Sequence, residues 1–354
     1  MMAMKLANAE PKRILIILHG SVGDVTRALP LANLLRRRFP KAFLAWAVEP
    51  ACLPLLEQQP AVNEIIVFDR RHWWRDFLPF LRKIRSRRFD LVLDLQRHFK
   101  SGLISFLSGA ADRLGFNRSD CKELNWIFNN TYIPAVGDEI SKLDHYLKFA
   151  ECLGATAAID WGFRLTAEEE RTVDKHLARA GESYAALFVG SRWESKQWFP
   201  DQIAACARAI QQRYGFDVVL LGSTEDAKAA AEAEACCGIR VTNLVGRTSL
   251  REAIGIISRA KVSIGPDTGL MHISAAVGTP VVSLWGATSP SRNAPHRFEQ
   301  LAIRGRAACS PCYIKKCPIG RLCMRSIATE EISEKVALAL SSRVADINAY
   351  GDQP

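Results

Sequence analysis

Short, uninterrupted runs of apolar, β-branched residues alternate with longer amphipathic stretches along this chain, and that alternation restricts its fold more than any other feature. Strand candidates are Arg13–His19, Phe43–Val48, Glu64–Phe68, Asp90–Leu95, Ala185–Val189, Asp217–Leu221, Lys261–Ile264 and Val281–Leu284. Several are apolar at successive positions, as parallel strands buried on both faces require. Helical stretches between them include Val25–Phe39, Ser141–Leu153, Gln202–Tyr214, Ser249–Ala260 and Gly269–Val277, and Ser249-Leu-Arg-Glu252 is a capping box that marks a helix start. This order predicts α/β architecture: doubly wound parallel sheets with right-handed crossovers.

The pattern runs in two halves, and 354 residues suit two domains of roughly 100–200 residues each. We place them at residues 1–165 and 166–354. Each half has a strand feeding a glycine-bearing turn and then a helix: Ile14–Leu18 into Gly20-Ser-Val-Gly23, and Val262–Ile264 into Gly265-Pro-Asp-Thr-Gly269. Two such Rossmann-like domains facing each other make a cleft at the carboxyl ends of their strands, where open α/β sheets bind ligands. Residues 329–345 read as a closing helix that packs back on the first half.

At 48% hydrophobic and 24% charged, the chain is neither disordered nor fibrous. Its apolar runs fall far short of the ~20 residues of a membrane span. The first 13 residues lack the apolar stretch of a secretory signal, so a cytoplasmic protein is expected. A net charge of +10 favours anionic partners, namely nucleotides, phosphorylated lipids, membrane or nucleic acid. No helix-turn-helix, RRM or finger pattern accompanies the charge, which argues against nucleic acid.

Four segments can carry chemistry. In His19-Gly20-Ser21-Val22-Gly23-Asp24 the spacing is not G-x-G-x-x-G, so a dinucleotide fingerprint is lacking. Asp24 suits either a first-turn partner of the helix dipole or a general base that takes a proton from an attacking hydroxyl. Gly265–His272 suits either a tight loop over a core histidine or a diphosphate cradle, with Thr268 and His272 beside free helical N–H groups. Ser191, Arg192 and Lys196 follow another strand, and Lys196 is either a solvated cation or the partner of a departing phosphate. In Gly222-Ser-Thr-Glu-Asp226 the carboxylates of Glu225 and Asp226 either bind sugar hydroxyls or cap the next helix. Arg70, Arg71, Trp73, Trp74 and the cations through Arg88 make either a solvated helix face or a docking surface for a membrane-embedded phosphorylated glycolipid.

Of ten cysteines, six are scattered and read as buried small hydrophobes. Cys309, Cys312, Cys317 and Cys323 fall within one short stretch, compact enough to encircle a structural zinc or iron ion. Free thiols and disulfides are the alternatives there.

These residues, taken in order, resemble glycosyltransferase family 9, the ADP-heptose:lipopolysaccharide heptosyltransferases. The resemblance rests on Gly23-Asp24, Asp90-Leu-Val-Leu-Asp-Leu-Gln96 with Lys100-Ser101, Arg113-Leu-Gly-Phe116, Lys196-x-Trp-x-Pro200 and Asp267-Thr-Gly-Leu-Met-His272. It spans nearly the whole chain and implies the GT-B fold, with the donor held mainly by the second domain. It also implies that Asp24 is the general base of an inverting transfer of L-glycero-D-manno-heptose from ADP-heptose to the lipopolysaccharide inner core. The acceptor would be Kdo-lipid A or its monoheptosylated form. Lys196, Ser191 and Arg192 would contact donor phosphates, Thr268, Gly269 and His272 the diphosphate, and Asp267 the donor sugar. Thr248 and Glu225 or Asp226 are further donor contacts by the same resemblance. Ser21, Gly23, Gln96 and Lys100, with Arg70 and Arg71, are the acceptor-side candidates. The chain departs from the family at Leu18, where Arg or Lys is frequent, and at Gly222–Asp226, where Gly-x-Pro-x-Glu is usual. No Asp-x-Asp motif is present, which fits transfer without a catalytic metal cofactor. Such an enzyme would work on the cytoplasmic face of the inner membrane. A relative with another nucleotide sugar or acceptor, or a non-catalytic nucleotide-sugar-binding assembly protein, are the rival readings.

Overall fold

The computed structural model describes residues 10–350 apart from 138 and 157, with side chains as far as Ser341. The chain divides between Arg164 and Leu165 into two compact units.

The first unit runs β1 (Arg13–Ile17), α1 (Val22–Arg38), β2 (Phe43–Val48), β3 (Glu64–Val67), α2 (Trp73–Ser86), β4 (Leu91–Asp94), α3 (Phe99–Leu107), β5 (Asp112–Gly115), β6 (Thr131–Tyr132) and α4 (Lys142–Cys152). Its six strands are parallel, in the order β3-β2-β1-β4-β5-β6. The second unit runs α5 (Ala167–Leu177), β7 (Tyr184–Phe188), α6 (Pro200–Tyr214), β8 (Asp217–Leu221), α7 (Ala227–Cys237), β9 (Thr242–Asn243), α8 (Leu250–Arg259), β10 (Val262–Pro266), α9 (Gly269–Ala276), β11 (Val281–Trp285), β12 (Ala302–Arg304) and α10 (Thr329–Tyr350). Its six parallel strands lie in the order β12-β11-β10-β7-β8-β9. Counted within each unit, both orders are 3-2-1-4-5-6, the doubly wound arrangement.

The central strands owe their place to unbroken apolar runs. Ile14–Ile17 are all buried, as are all five residues of β7, β10 and β11. Sandwiched between helix layers, such strands have no polar face to offer solvent. Gly265 lets β10 pass close to β7, because a Cβ there would sit 2.5 Å from the Phe188 Cβ. Four strands lacked a sequence signal. β5, β6, β9 and β12 span only two to four residues and carry polar or charged side chains, three of them at a sheet edge and β5 one strand in.

Strand order reverses at β1/β4 in the first unit and at β7/β10 in the second, and ligands of such sheets bind beyond the carboxyl ends of the strands at that point. The loops after these four strands carry most of the candidate residues. The closing helix α10 places Ile332, Val336 and Ala339 in the second unit's core, beside Ile203, Ile210 and Leu301.

Candidate active site

In the first unit, α1 begins at Val22, so Asp24 lies in its opening turn. Its Oδ2 accepts from the Ser21 N–H at 3.3 Å and the Ser21 hydroxyl at 3.1 Å. Its Oδ1 accepts from the Arg27 guanidinium at 2.7 Å and from Lys142 Nζ at 3.1 Å. Burial by itself would raise the Asp24 pKa. The charges of Lys142 and Arg27 and the bonds from Lys142 and Ser21 outweigh it, holding the carboxyl well below the usual carboxylate range. About a fifth of the side chain remains open to solvent. The dipole and the base readings therefore describe one group, an ionised, partly accessible carboxylate at a helix N-terminus.

The two loops at the β1/β4 switch are tied together by His19, whose Nδ1 lies 2.8 Å from Gln96 Oε1. Burial pushes the His19 pKa down to about 4, against the bond to Gln96, with Arg70 adding to the fall. The ring is thus neutral, and with Gln96 Oε1 as acceptor the proton sits on Nδ1. Gln96, expected on the acceptor side, has this oxygen committed to His19. Gly23 is buried in the first turn and Ser21 is exposed at the helix cap. Arg70 pairs with Glu49, Arg71 pairs with Asp69 at 2.8 Å, and exposed Lys100 lies 5.5 Å from the centre of the Trp73 ring.

In the second unit, Lys196 and Asp267 meet across the β7/β10 switch, with Nζ 2.6 Å from Asp267 Oδ2. Thr288, from the loop after β11, donates to the same oxygen at 2.7 Å. Ser191 donates its hydroxyl to the Asp267 carbonyl at 2.7 Å, joining the two loops a second time. Trp193 stacks beneath the ammonium, 4.3 Å from its ring centre. Just beyond, Thr268 stands at the N-cap position of α9 without a side-chain cap bond, and the first-turn N–H groups from Gly269 onward have no intrahelical acceptor. His272 is buried one turn further along. A cation, hydroxyls and a helix N-terminus thus cluster where a diphosphate would be held. Arg192 is exposed and Thr248 half-buried.

Asp226 follows the capping alternative. Its Oδ2 accepts from the Ser223 N–H at 2.8 Å and the Ser223 hydroxyl at 2.7 Å, and its Oδ1 lies where a Gly190 Cβ would stand. Glu225 beside it is exposed. In the cysteine loop Cys309 is exposed, Cys312 and Cys317 are half-buried and Cys323 is buried, and none of the four is in a disulfide. Among the described residues no three His, Cys, Asp or Glu side chains group closely enough to hold a metal ion.

Sequence reasoning missed Arg27, Lys142, Trp193 and Thr288. Arg27 was within reach, since residues three apart share a helix face. Lys142 lies 118 positions from Asp24 and Thr288 lies 21 from Asp267, so only the fold joins them.

Two doubly wound units, with polar and charged groups gathered at each switch point, make this a GT-B protein. The family model of glycosyltransferase family 9 (heptosyltransferase) matches residues 77–322, and the chain belongs to that family. It is 26% identical over 298 residues to the lipopolysaccharide core heptosyltransferase OpsX of Haemophilus influenzae, covering 83% of this chain and 84% of that one. Among solved structures it resembles a family 9 glycosyltransferase from Veillonella parvula (TM-score 0.78, 20% identity, 94% and 97% of the two chains). It also resembles the E. coli ADP-heptose lipopolysaccharide heptosyltransferase II (TM-score 0.73, 24% identity, 94% and 99%). The chain is therefore a glycosyltransferase.

Proposed function

We propose that this enzyme moves L-glycero-D-manno-heptose from ADP-heptose onto the inner core of lipopolysaccharide, with Kdo-lipid A or its monoheptosylated form as acceptor. The observation that carries the chemistry is Asp24, a carboxylate held ionised, yet open to solvent, in the first turn of a helix at the switch point. The substrate is supported by the family and by the heptosyltransferase activity of the relatives it resembles.

In this reading the acceptor hydroxyl attacks the anomeric carbon of the heptose from the face opposite ADP. The new C–O bond forms as the bond to the phosphate oxygen breaks, so that carbon inverts. The hydroxyl proton passes to Asp24, and the electron pair of the broken bond leaves with ADP. Lys196 and the first-turn N–H groups of α9 meet the charge that builds on the departing diphosphate. Thr288 and Lys196 fix Asp267 Oδ2, which leaves Oδ1 for hydroxyls of the donor sugar. No separate metal cofactor is needed for these roles.

We place the enzyme on the cytoplasmic face of the inner membrane. Among the described residues no helix is long and apolar enough to cross a membrane. On α2, Trp74, Leu78, Arg82 and Arg85 follow at steps of four, four and three residues and form one exposed stripe, with Trp74 80% and Leu78 57% accessible. An aromatic and an aliphatic side chain beside two arginines suit the boundary of an anionic bilayer.

Donor choice tests this function directly. Purified enzyme supplied with ADP-heptose, UDP-sugars or GDP-sugars and a Kdo-lipid A acceptor is expected to turn over only the first. Preference for another nucleotide sugar would overturn the substrate, and no turnover with any would overturn the activity.

A further inference from the structure

Resting on the reading of Asp24 as general base, the geometry around it raises a problem that the acceptor must solve. A carboxylate offers about four lone-pair sites. Here Arg27 and Lys142 take Oδ1, and the Ser21 N–H and hydroxyl take Oδ2. An arriving hydroxyl finds no vacant site, and two cations oppose transfer of its proton to Asp24. A charged donor has to withdraw.

The two cations differ in how readily they can do so. Arg27 projects from the same helix one turn on, and its side chain is only 11% accessible. Lys142 is the first residue of α4, with a side chain 36% accessible on a flexible four-carbon stem. It can swing away, provided that another anion receives its charge.

We propose that Lys142 binds a carboxylate of an acidic sugar in the acceptor, and that this exchange is what arms Asp24. The acceptor carboxylate draws Nζ off Oδ1. One lone pair is thereby opened to the neighbouring hydroxyl, and one of the two cations opposing its proton is removed. An acceptor without that carboxylate leaves the base clamped, so the enzyme selects acidic acceptors through its own catalytic group.

The test compares full-length wild type, Lys142→Ala, Lys142→Arg and Asp24→Asn. Each receives the native acceptor, its carboxyl methyl ester and its dephosphorylated form, with ADP-heptose saturating. On the native acceptor, Lys142→Ala is expected to lose about tenfold in kcat/KM, the size of one charge-assisted hydrogen bond. Lys142→Arg is expected to retain most of it. On the methyl ester the order reverses: wild type falls, and Lys142→Ala exceeds it because no lysine occupies the Oδ1 lone pair the hydroxyl needs. Dephosphorylation leaves the Lys142→Ala deficit unchanged. A deficit of equal size and direction on acid and ester, as a merely structural lysine would give, overturns the proposal. So does a deficit that disappears only with the phosphates. Asp24→Asn is expected to lose roughly 10²–10⁴-fold on all three acceptors if Asp24 is the base; transfer by that variant at the wild-type rate overturns the base itself, whatever Lys142 does.

Discussion

Asp24 and Lys196 have opposite tasks, and their neighbours are arranged accordingly. Asp24 must be ionised before it can take a proton, and Arg27 and Lys142 ensure that it is. Lys196 must stay cationic and aimed, and Asp267 with the Trp193 ring holds it in place. Truncating Lys196 to Ala removes a charged donor from the expected diphosphate site, a loss of about 1.5–3 kcal/mol for such hydrogen bonds. Calorimetry with ADP is expected to show affinity at least tenfold weaker, and unchanged affinity would contradict the assignment. Both residues were legible as single letters in turn motifs. Their settings were not, because Lys142 and Thr288 come from distant elements that only the sheet order brings near.

The strand-to-helix connections carry the site, and two buried groups in those of the first unit titrate in opposition. Burial lowers His19 from 6.5 to about 4, against its bond to Gln96. Burial raises Asp94, at the end of β4, from 3.8 to about 6, against bonds from Asn125, Ser101, Asn129 and the Gln96 N–H. A histidine held neutral adds stability as pH rises from about 4 to 6.5, where the unfolded chain keeps the extra proton. A carboxyl held neutral does the reverse: its contribution is present below its unfolded value and fades as pH climbs towards 6. Each shift corresponds to about 3 kcal/mol, so the two nearly offset over one window. In Asp94→Asn only the histidine remains. Its melting temperature is expected to fall more steeply than that of wild type between pH 6.5 and 4; parallel curves would contradict the pairing. Central elements such as β1 and β11 could be read from apolar runs, and α8 from its cap. β6 and β9 could not, since a two-residue edge strand exists only through its neighbour's hydrogen bonds.

For the whole chain, the two-unit α/β architecture followed from alternation alone. The charge of +10 gains a location in the exposed stripe of α2. Each cation near an anionic bilayer contributes about 1 kcal/mol. An Arg82→Ala/Arg85→Ala variant is therefore expected to bind phosphatidylglycerol-containing vesicles tenfold or more weakly in sedimentation, and unaltered binding would move the membrane contact elsewhere. Substrate transfer itself is tested most directly by single-turnover heptose transfer from ADP-heptose to Kdo-lipid A by wild type and Asp24→Asn, with ADP affinity measured on the same samples. A positioned base supplies roughly 10²–10⁴-fold in rate. The expected result is a loss of that size with ADP affinity unchanged, whereas transfer by the Asn variant at the wild-type rate would contradict it.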